Sequence, residues 1–192
     1  MYDPMDLTQF QIENEQIVLS IVQESDAKDI YIAIKQTLHD LRKFPASLPW
    51  ALDEPDLEAS KAFCRSRIAA LLTNENFVFT IRLKENNAFI GVIDIHKINW
   101  GENTASVGFW GSAHFQGRGY MRQALSLFVD TLFIRWSFKQ LKAYVDMENV
   151  SARHLCERAN FQLLDIEYQS VQNPVDATWR DICFYMIENK DK

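Results

Sequence analysis

Between Thr104 and Met147 the chain changes its hydrophobic period twice. "TASVGFWG" alternates as a strand does. Met121, Ala124, Leu125, Phe128, Val129, Leu132 and Trp136 then recur at helical i, i+3, i+4 spacing. "LKAYVDM" alternates again through Leu141, Ala143 and Val145. A strand, a helix and a strand in that order place a parallel pair, or near neighbours, in one sheet and lay the helix against its face. Any fold for this chain must accommodate that unit.

The flanking segments extend the same architecture. Residues 1–15 read as a loosely ordered arm, and "QIVLSIV" alternates as a half-buried strand. Ser25 and Asp26 are N-cap types for a helix with Ile30, Ala33, Ile34, Leu38 and Leu41 on one side. Pro45, Pro49 and Pro55 break regular structure next. A second helix runs from Asp56 to Leu72, with Ala59, Ala62, Phe63 and Ile68 expected to face inward. "NFVFTIRLK" and "AFIGVIDIHKIN" form a hairpin around "ENNA". After the central unit, a short helix carries Ala152, Leu155, Cys156 and Ala159, and two strands close the chain around a loop containing Pro174. The expectation is one α/β (α+β) domain over residues 1–192, with a mixed central sheet of about seven strands and helices on both faces.

Composition removes several function classes. The net charge of -6 argues against a general nucleic-acid binder, which needs a phosphate-neutralising basic face. No apolar run approaches the roughly 20 residues that span a bilayer, so no membrane partner is expected. The N-terminus lacks the basic and apolar regions of a secretory signal. Three scattered cysteines suit a reducing compartment, and the cytoplasm is the expected location. The four histidines do not pair with one another or with cysteine at ligand spacing, so no metal is expected. "LSLFVDTLFIRWSF" has the period of a core helix, and an apolar stripe left uncovered on it would favour a homodimer.

The junction "HFQGRGYMRQAL" carries the chemistry. A dinucleotide fingerprint would need glycine where Arg122 stands. The chain has no Gly-Lys-Ser/Thr for a phosphate-binding P-loop and no Gly-x-Ser-x-Gly nucleophile elbow. Two readings survive on the residues alone. Gly117 and Gly119 either form a nest of backbone N–H groups at a helix N-terminus, suited to phosphate, or supply a turn that merely needs positive φ.

Context extends this reading. "SVGFWGSAHFQGRGYMRQAL" resembles the acyl-CoA loop of the GNAT N-acetyltransferase superfamily, written Gln/Arg-x-x-Gly-x-Gly/Ala after a strand. Gln116 and Gly119 match it and Met121 departs. "ENVSARHLCERANF" resembles the superfamily's later signature through Asn149, Ser151, Glu157, Arg158 and Phe161. Cys156 stands where many members carry tyrosine and Asn160 where most carry glycine. The opening strand with "ESDAKDI", the "LPW" segment and the final "RDICFYMIE" look like the Rim-type branch, which includes ribosomal-protein N-terminal acetyltransferases.

The resemblance implies a sheet splayed where the strand ending at Trp110 and the strand ending at Asp146 part, with acetyl-CoA as co-substrate in the cleft. It places the pyrophosphate on the backbone of Gln116, Gly117, Arg118, Gly119, Tyr120 and Met121, and pantetheine along Phe109, Trp110 and Gly111 and against Asn149. Ser151 becomes the proton donor to the leaving thiolate and a further cofactor contact. The base is sought among Asp94 and His96 on one strand, His114 beside the loop, and Glu167 on a late strand, with His96 and Glu167 leading. A lone strand histidine is also commonly structural. Loops Phe44–Pro55 and Ser170–Trp179 would rim the acceptor site, with Trp50 and Trp179 as walls.

The activity so implied is direct acetyl transfer to a primary amine, with a protein N-terminal α-amine as first acceptor. A small amine such as a polyamine, amino acid or aminoglycoside is the nearest alternative. The departures at Met121, Cys156 and Asn160 keep a non-catalytic acyl-CoA-binding protein on the same fold in contention, because fold alone does not confer catalysis. An interaction module without CoA fits poorly with Gln116, Gly119 and Asn149 in place.

Overall fold

One parallel contact organises the sheet. The computed structural model describes residues 10–190, in which β5 (Thr104–Gly111) and β6 (Gln140–Asp146) run parallel while every other neighbouring pair is antiparallel. The remaining strands are β1 (Gln11–Glu13), β2 (Ile17–Ile21), β3 (Phe77–Leu83), β4 (Phe89–Asn99), β7 (Gln162–Gln172) and β8 (Trp179–Glu188), in the spatial order β1-β2-β3-β4-β5-β6-β8-β7. The sheet has eight strands where about seven were expected. The extra one is β1, inside the stretch expected to be a loose arm. Asn14 turns it back on β2 by accepting from the N–H groups of Gln16 and Ile17, and Ile12 is buried. Residues 1–9 of that arm lie outside the described residues.

Pairing between β5 and β6 covers only Thr104–Ser106 against Gln140–Lys142. Beyond it the strands part, each held by its outer neighbour: Gly111 still pairs with Gly91 of β4, and Asp146 with Ile182 of β8. The splay expected from the family resemblance is present. It leaves Val107–Gly111 of β5 with an unpaired backbone edge.

Helices pack on both faces. Strand alternation sends Phe77, Phe79, Ile93 and Ile95 to one side, where they meet Ala124, Leu125, Phe128 and Leu132 of α3, with Cys156 of the short helix in the same core; Val78 and Val92 face Ala27, Ile30 and Cys64 on the other. The helices are α1 (Ala27–Leu41), α2 (Leu57–Leu72), α3 (Tyr120–Arg135) and α4 (Val150–Arg158). Asp56 caps α2 by accepting from the N–H of Ala59. The inward face of α2 differs from the expected one. Ser60, Cys64 and Leu71 are buried, while Ala59, Ala62 and Phe63 are exposed. Small side chains at positions 60 and 64 let the helix approach closely, and Ser60 satisfies its hydroxyl on the carbonyl of Asp56. The proline-rich loop is not wholly irregular, because Pro49–Leu52 forms a short 3-10 turn with Pro49 in its first turn. Among the described residues, no helix is long and apolar enough to cross a membrane, and no three His, Cys, Asp or Glu side chains group to hold a metal ion.

Candidate active site

The glycine junction is built from both ends. Ser112 leaves β5 and accepts from the N–H of His114, and Ala113–Phe115 form a 3-10 turn. Thr37 of α1, itself buried, holds this turn by accepting from the N–H of Ala113 at 3.0 Å. Gly117 (φ 76°) and Gly119 (φ 80°) then adopt left-handed backbone, and Gly119 is the N-cap of α3. A Cβ built on either meets nothing within 4 Å, so these glycines serve the dihedral rather than internal packing.

The first N–H groups of α3 have no intrahelical acceptor, and the helix dipole adds partial positive charge there. Arg118, Arg122 and Arg158 line the same groove, and none makes an ion pair among the described residues. Open N–H groups beside three guanidinium groups outside any ion pair, of which Arg118 stacks on the Phe115 ring at 5.6 Å, suit a phosphate-bearing ligand. Arg122 and Arg158 were not expected in this role. Arg122 on the helix face and Arg158 at the end of α4 converge only once α3 and α4 are packed.

Two cavities meet at the splay. The larger groove, about 950 Å³, is lined by Phe109, Trp110, Gly111, Gln116, Gly117, Arg118, Gly119, Met121, Asn149 and Ser151. These are the expected cofactor contacts with one exception. Tyr120 packs its ring against Phe115 and does not line the groove. The second chamber, about 430 Å³, is lined by His96, Lys97, Tyr144, Asp146, Glu167 and Ser170, with Ala46 and Ser47 from the loop before α2. Leu48, Phe109, Asn149 and Ala152 border both cavities. Asn149 also caps α4, accepting from the N–H of Ala152 at 3.1 Å. Ser151 is exposed on the larger groove only.

The structure sorts the four base candidates. Asp94 and His96 share a face of β4, as the alternation required, and Asp94 Oδ1 lies 2.7 Å from His96 Nδ1. Gly108 faces Asp94 across β5, and a Cβ there would lie 2.8 Å from Asp94 Oδ2, so the glycine makes room for the carboxylate. The register shifts just beyond His96, where Lys97 takes a left-handed φ of 50°. Glu167 joins His96 in the second chamber and accepts from the Ser170 hydroxyl. His114 packs on Phe115 and lines neither cavity.

Neither expected tryptophan wall is in place. Trp50 packs on Trp110 at 5.9 Å, and exposed Trp179 lines neither cavity. Both rim loops do contribute, through Phe44–Leu48 and through Ser170 and Val171.

A buried ion pair steadies the far wall. Arg180 of β8 donates from Nε and Nη2 to the two oxygens of Asp146 at 3.0 and 2.9 Å, and its Nη2 also meets Glu148 at 2.8 Å. Hydrogen bonding to Asp146 first, and to Glu148 next, raises the Arg180 pKa. The pairing, with the N–H of Glu148, engages both oxygens of this chamber-lining carboxylate. Tyr185 donates to Glu157 at 2.8 Å and accepts from Arg153 at 3.2 Å, tying α4 to β8.

The three departures from the family pattern have physical accounts. Met121 lies against two glycines: a Cβ on Gly111 would be 2.9 Å from its Cγ, and one on Gly91 3.2 Å from its Sδ. The longer side chain is therefore received where neighbouring strands lack Cβ atoms. Asn160 takes the left-handed conformation, φ 67°, that glycine supplies elsewhere. Cys156 is fully buried, and burial pushes its thiol up to about 12.

Comparison with known proteins places the chain. Residues 16–162 match the family model for the acetyltransferase (GNAT) domain, and the protein belongs to that family. It is similar to the probable N-acetyltransferase YjcK of Bacillus subtilis (strain 168), 26% identical over 119 residues, or 62% of this chain and 65% of that protein. Solved structures share the fold, two of them with named acceptors. One is RimL, a ribosomal-protein α-N-acetyltransferase in complex with coenzyme A. It has a TM-score of 0.85 at 18% identity, covering 95% of this chain and all (100%) of that one. The other, from Salmonella typhimurium, is an acetyltransferase that modifies the N-terminal serine of a 50S ribosomal subunit protein. It has a TM-score of 0.82 at 18% identity, covering 94% of this chain and 99% of that one.

Proposed function

We propose that this protein is an acetyl-CoA-dependent N-acetyltransferase of the Rim-type branch that acetylates an N-terminal α-amine of a protein or peptide. The observation that carries the reading is the meeting of two unlike cavities at the β5–β6 splay, one edged by a phosphate-suited glycine nest and the other by His96 and Glu167. The named acceptors of the similar folds support an α-amine. Three free, buried cysteines support a cytoplasmic setting.

In this mechanism the N–H groups of Gly117 and of Gly119–Met121 hold the pyrophosphate, those of Gln116 and Arg118 being engaged by the carbonyls of Ala113 and Phe115, and Asn149 holds the pantetheine amide. The unpaired edge of Phe109–Gly111 takes the pantetheine arm in the manner of an added strand. A backbone N–H there supports the carbonyl oxygen as it becomes anionic. The amine nitrogen bonds to the acetyl carbonyl carbon as the carbon–sulfur bond breaks. His96 Nε2 accepts the amine's proton, with Asp94 on Nδ1 fixing the imidazole's orientation. Ser151 gives a proton to the departing thiolate and recovers one from water. Glu167 draws the cationic form of the acceptor into the chamber, where water takes the ammonium proton first and so frees the lone pair that attacks.

The test is incubation with acetyl-CoA and three acceptors: a free-α-amine peptide, its Nα-acetylated twin and spermidine, followed by mass spectrometry. Acetylation of the free peptide alone supports the proposal. Acetylation of spermidine alone moves the protein to the small-amine class. Tight acetyl-CoA binding without acetylation of any probe contradicts the proposed reaction.

A further inference from the structure

The loop between α1 and α2 is fastened by a single side chain. Arg42, just past α1, donates from Nε to the carbonyl of Ala51 at 2.9 Å, and from Nη2 to those of Leu52 at 3.0 Å and Asp53 at 3.3 Å. Nη2 also meets the Glu54 carboxylate at 2.7 Å. The returning arm of the loop is thereby tied to the end of the helix. The intervening residues are folded tightly, with the N–H groups of Ser47 and Leu48 both donating to the carbonyl of Phe44. This bridge lies at the junction of the cavities, since Ser47 lines the second chamber and Leu48 borders both.

One atom on the bridge lacks what buried polar groups ordinarily have. Among the described residues, Ser47 Oγ is the buried side-chain oxygen or nitrogen with no hydrogen-bond partner. Several of the polar side chains around the chamber are committed, while the Tyr144 hydroxyl and the Asn149 amide N–H groups line it as further donors. Asp146 is saturated by Arg180, and the Ser170 hydroxyl donates to Glu167. The Lys97 ammonium sits 5.2 Å from the Tyr144 ring centroid, and His96 Nδ1 is engaged by Asp94. What His96 Nε2 and Glu167 still offer is proton and N–H acceptance. Ser47 supplies the complementary function, a neutral donor: its Oγ is covered as it stands, and a change to another staggered χ1 position is what would present the hydroxyl to the chamber that the residue lines.

We infer that Ser47 is a specificity-determining residue whose hydroxyl donates to a carbonyl oxygen of the acceptor. The chamber thereby selects an amine followed directly by an amide, as at a peptide N-terminus, over an alkyl polyamine that has no carbonyl. The inference rests on the assignment of the second chamber to the acceptor. An orphan donor discriminates well, because a substrate that cannot accept from it leaves it unpaired.

The test compares wild type, Ser47→Ala and Ser47→Thr with acetyl-CoA as donor and a free-α-amine hexapeptide or spermidine as acceptor. Acetyl-CoA affinity is measured separately by calorimetry. Ser47→Ala should lower kcat/KM for the peptide about five- to tenfold, mainly through KM, and leave spermidine within about twofold. Ser47→Thr, which keeps the hydroxyl, should recover most of the peptide rate. Acetyl-CoA affinity and thermal stability should not fall in either variant. Equal losses on both acceptors, no loss on the peptide, or a wild type that acetylates spermidine but not the peptide would overturn the inference. A wild type that fails to bind acetyl-CoA would overturn the acetyltransferase reading along with it.

Discussion

The two chambers that meet at the sheet's gap are built from different materials. The larger groove is organised by backbone, namely positive-φ glycines, open N–H groups at the start of α3 and the unpaired edge of β5, with arginine side chains beside them. The smaller chamber is mostly side chains, delivered by β4, β6, β7 and the loop before α2. Backbone sites demand particular residue types at fixed spacing, because only some residues adopt the conformation. Side-chain sites tolerate exchange as long as the shape and charge suit the ligand. One family can thus keep a common donor site while its acceptor site diverges.

That division can be broken by substitutions confined to one side. The largest expected effect is His96→Ala, which should lower kcat about a hundredfold or more and leave acetyl-CoA affinity unchanged by calorimetry. If kcat holds and Glu167→Gln instead removes it, the proton acceptor is Glu167. On the backbone side, Gly119→Val forces a β-branched residue into left-handed backbone. It should raise the acetyl-CoA Kd about tenfold or more while circular dichroism reports an intact fold. Gly108→Ala is subtler. The added methyl displaces the Asp94 carboxylate from His96 and should lower kcat several-fold, roughly three to ten, with acetyl-CoA Kd unchanged.

The smallest effect concerns the thiols. Burial pushes Cys156 up to about 12 and Cys64 up to about 11 and raises Cys183 as well, so almost none is thiolate at neutral pH. Iodoacetamide should leave the native protein unmodified and active under those conditions. Rapid labelling of Cys156 would show that α4 opens.

What could be read from the chain follows the same division. Gly117, Gly119 and Asn149 were legible because a turn or a cap dictates its residue type locally. Asn160 was legible for the same reason, as the residue after glycine that best tolerates φ of 67°. The βαβ unit was legible from its two changes of period. By contrast, Asp146 and Arg180 stand 34 positions apart and meet only because β6 pairs with β8. Ser47 carried no local pattern at all, since its isolation is a property of the packed loop. Strand β1 is too short for alternation to declare itself. The face of α2 was misassigned because its apolar residues do not mark one side: Ser60, Cys64 and Leu71 went in, while Ala59, Ala62 and Phe63 stayed out. Trp50 and Trp179 show the converse, large aromatics whose bulk was not recruited to either cavity.

The most direct test of two adjoining but distinct sites is an amide-resolved NMR titration, first with acetyl-CoA and then, at saturation with non-reactive CoA, with a free-α-amine peptide. The account predicts that acetyl-CoA moves the signals of Phe109–Gly111, Gln116–Arg122 and Asn149, and that the peptide then moves those of Ser47, His96 and Glu167. Acetyl-CoA shifts centred on His96 and Glu167, with the Gln116–Arg122 amides unmoved, would contradict it.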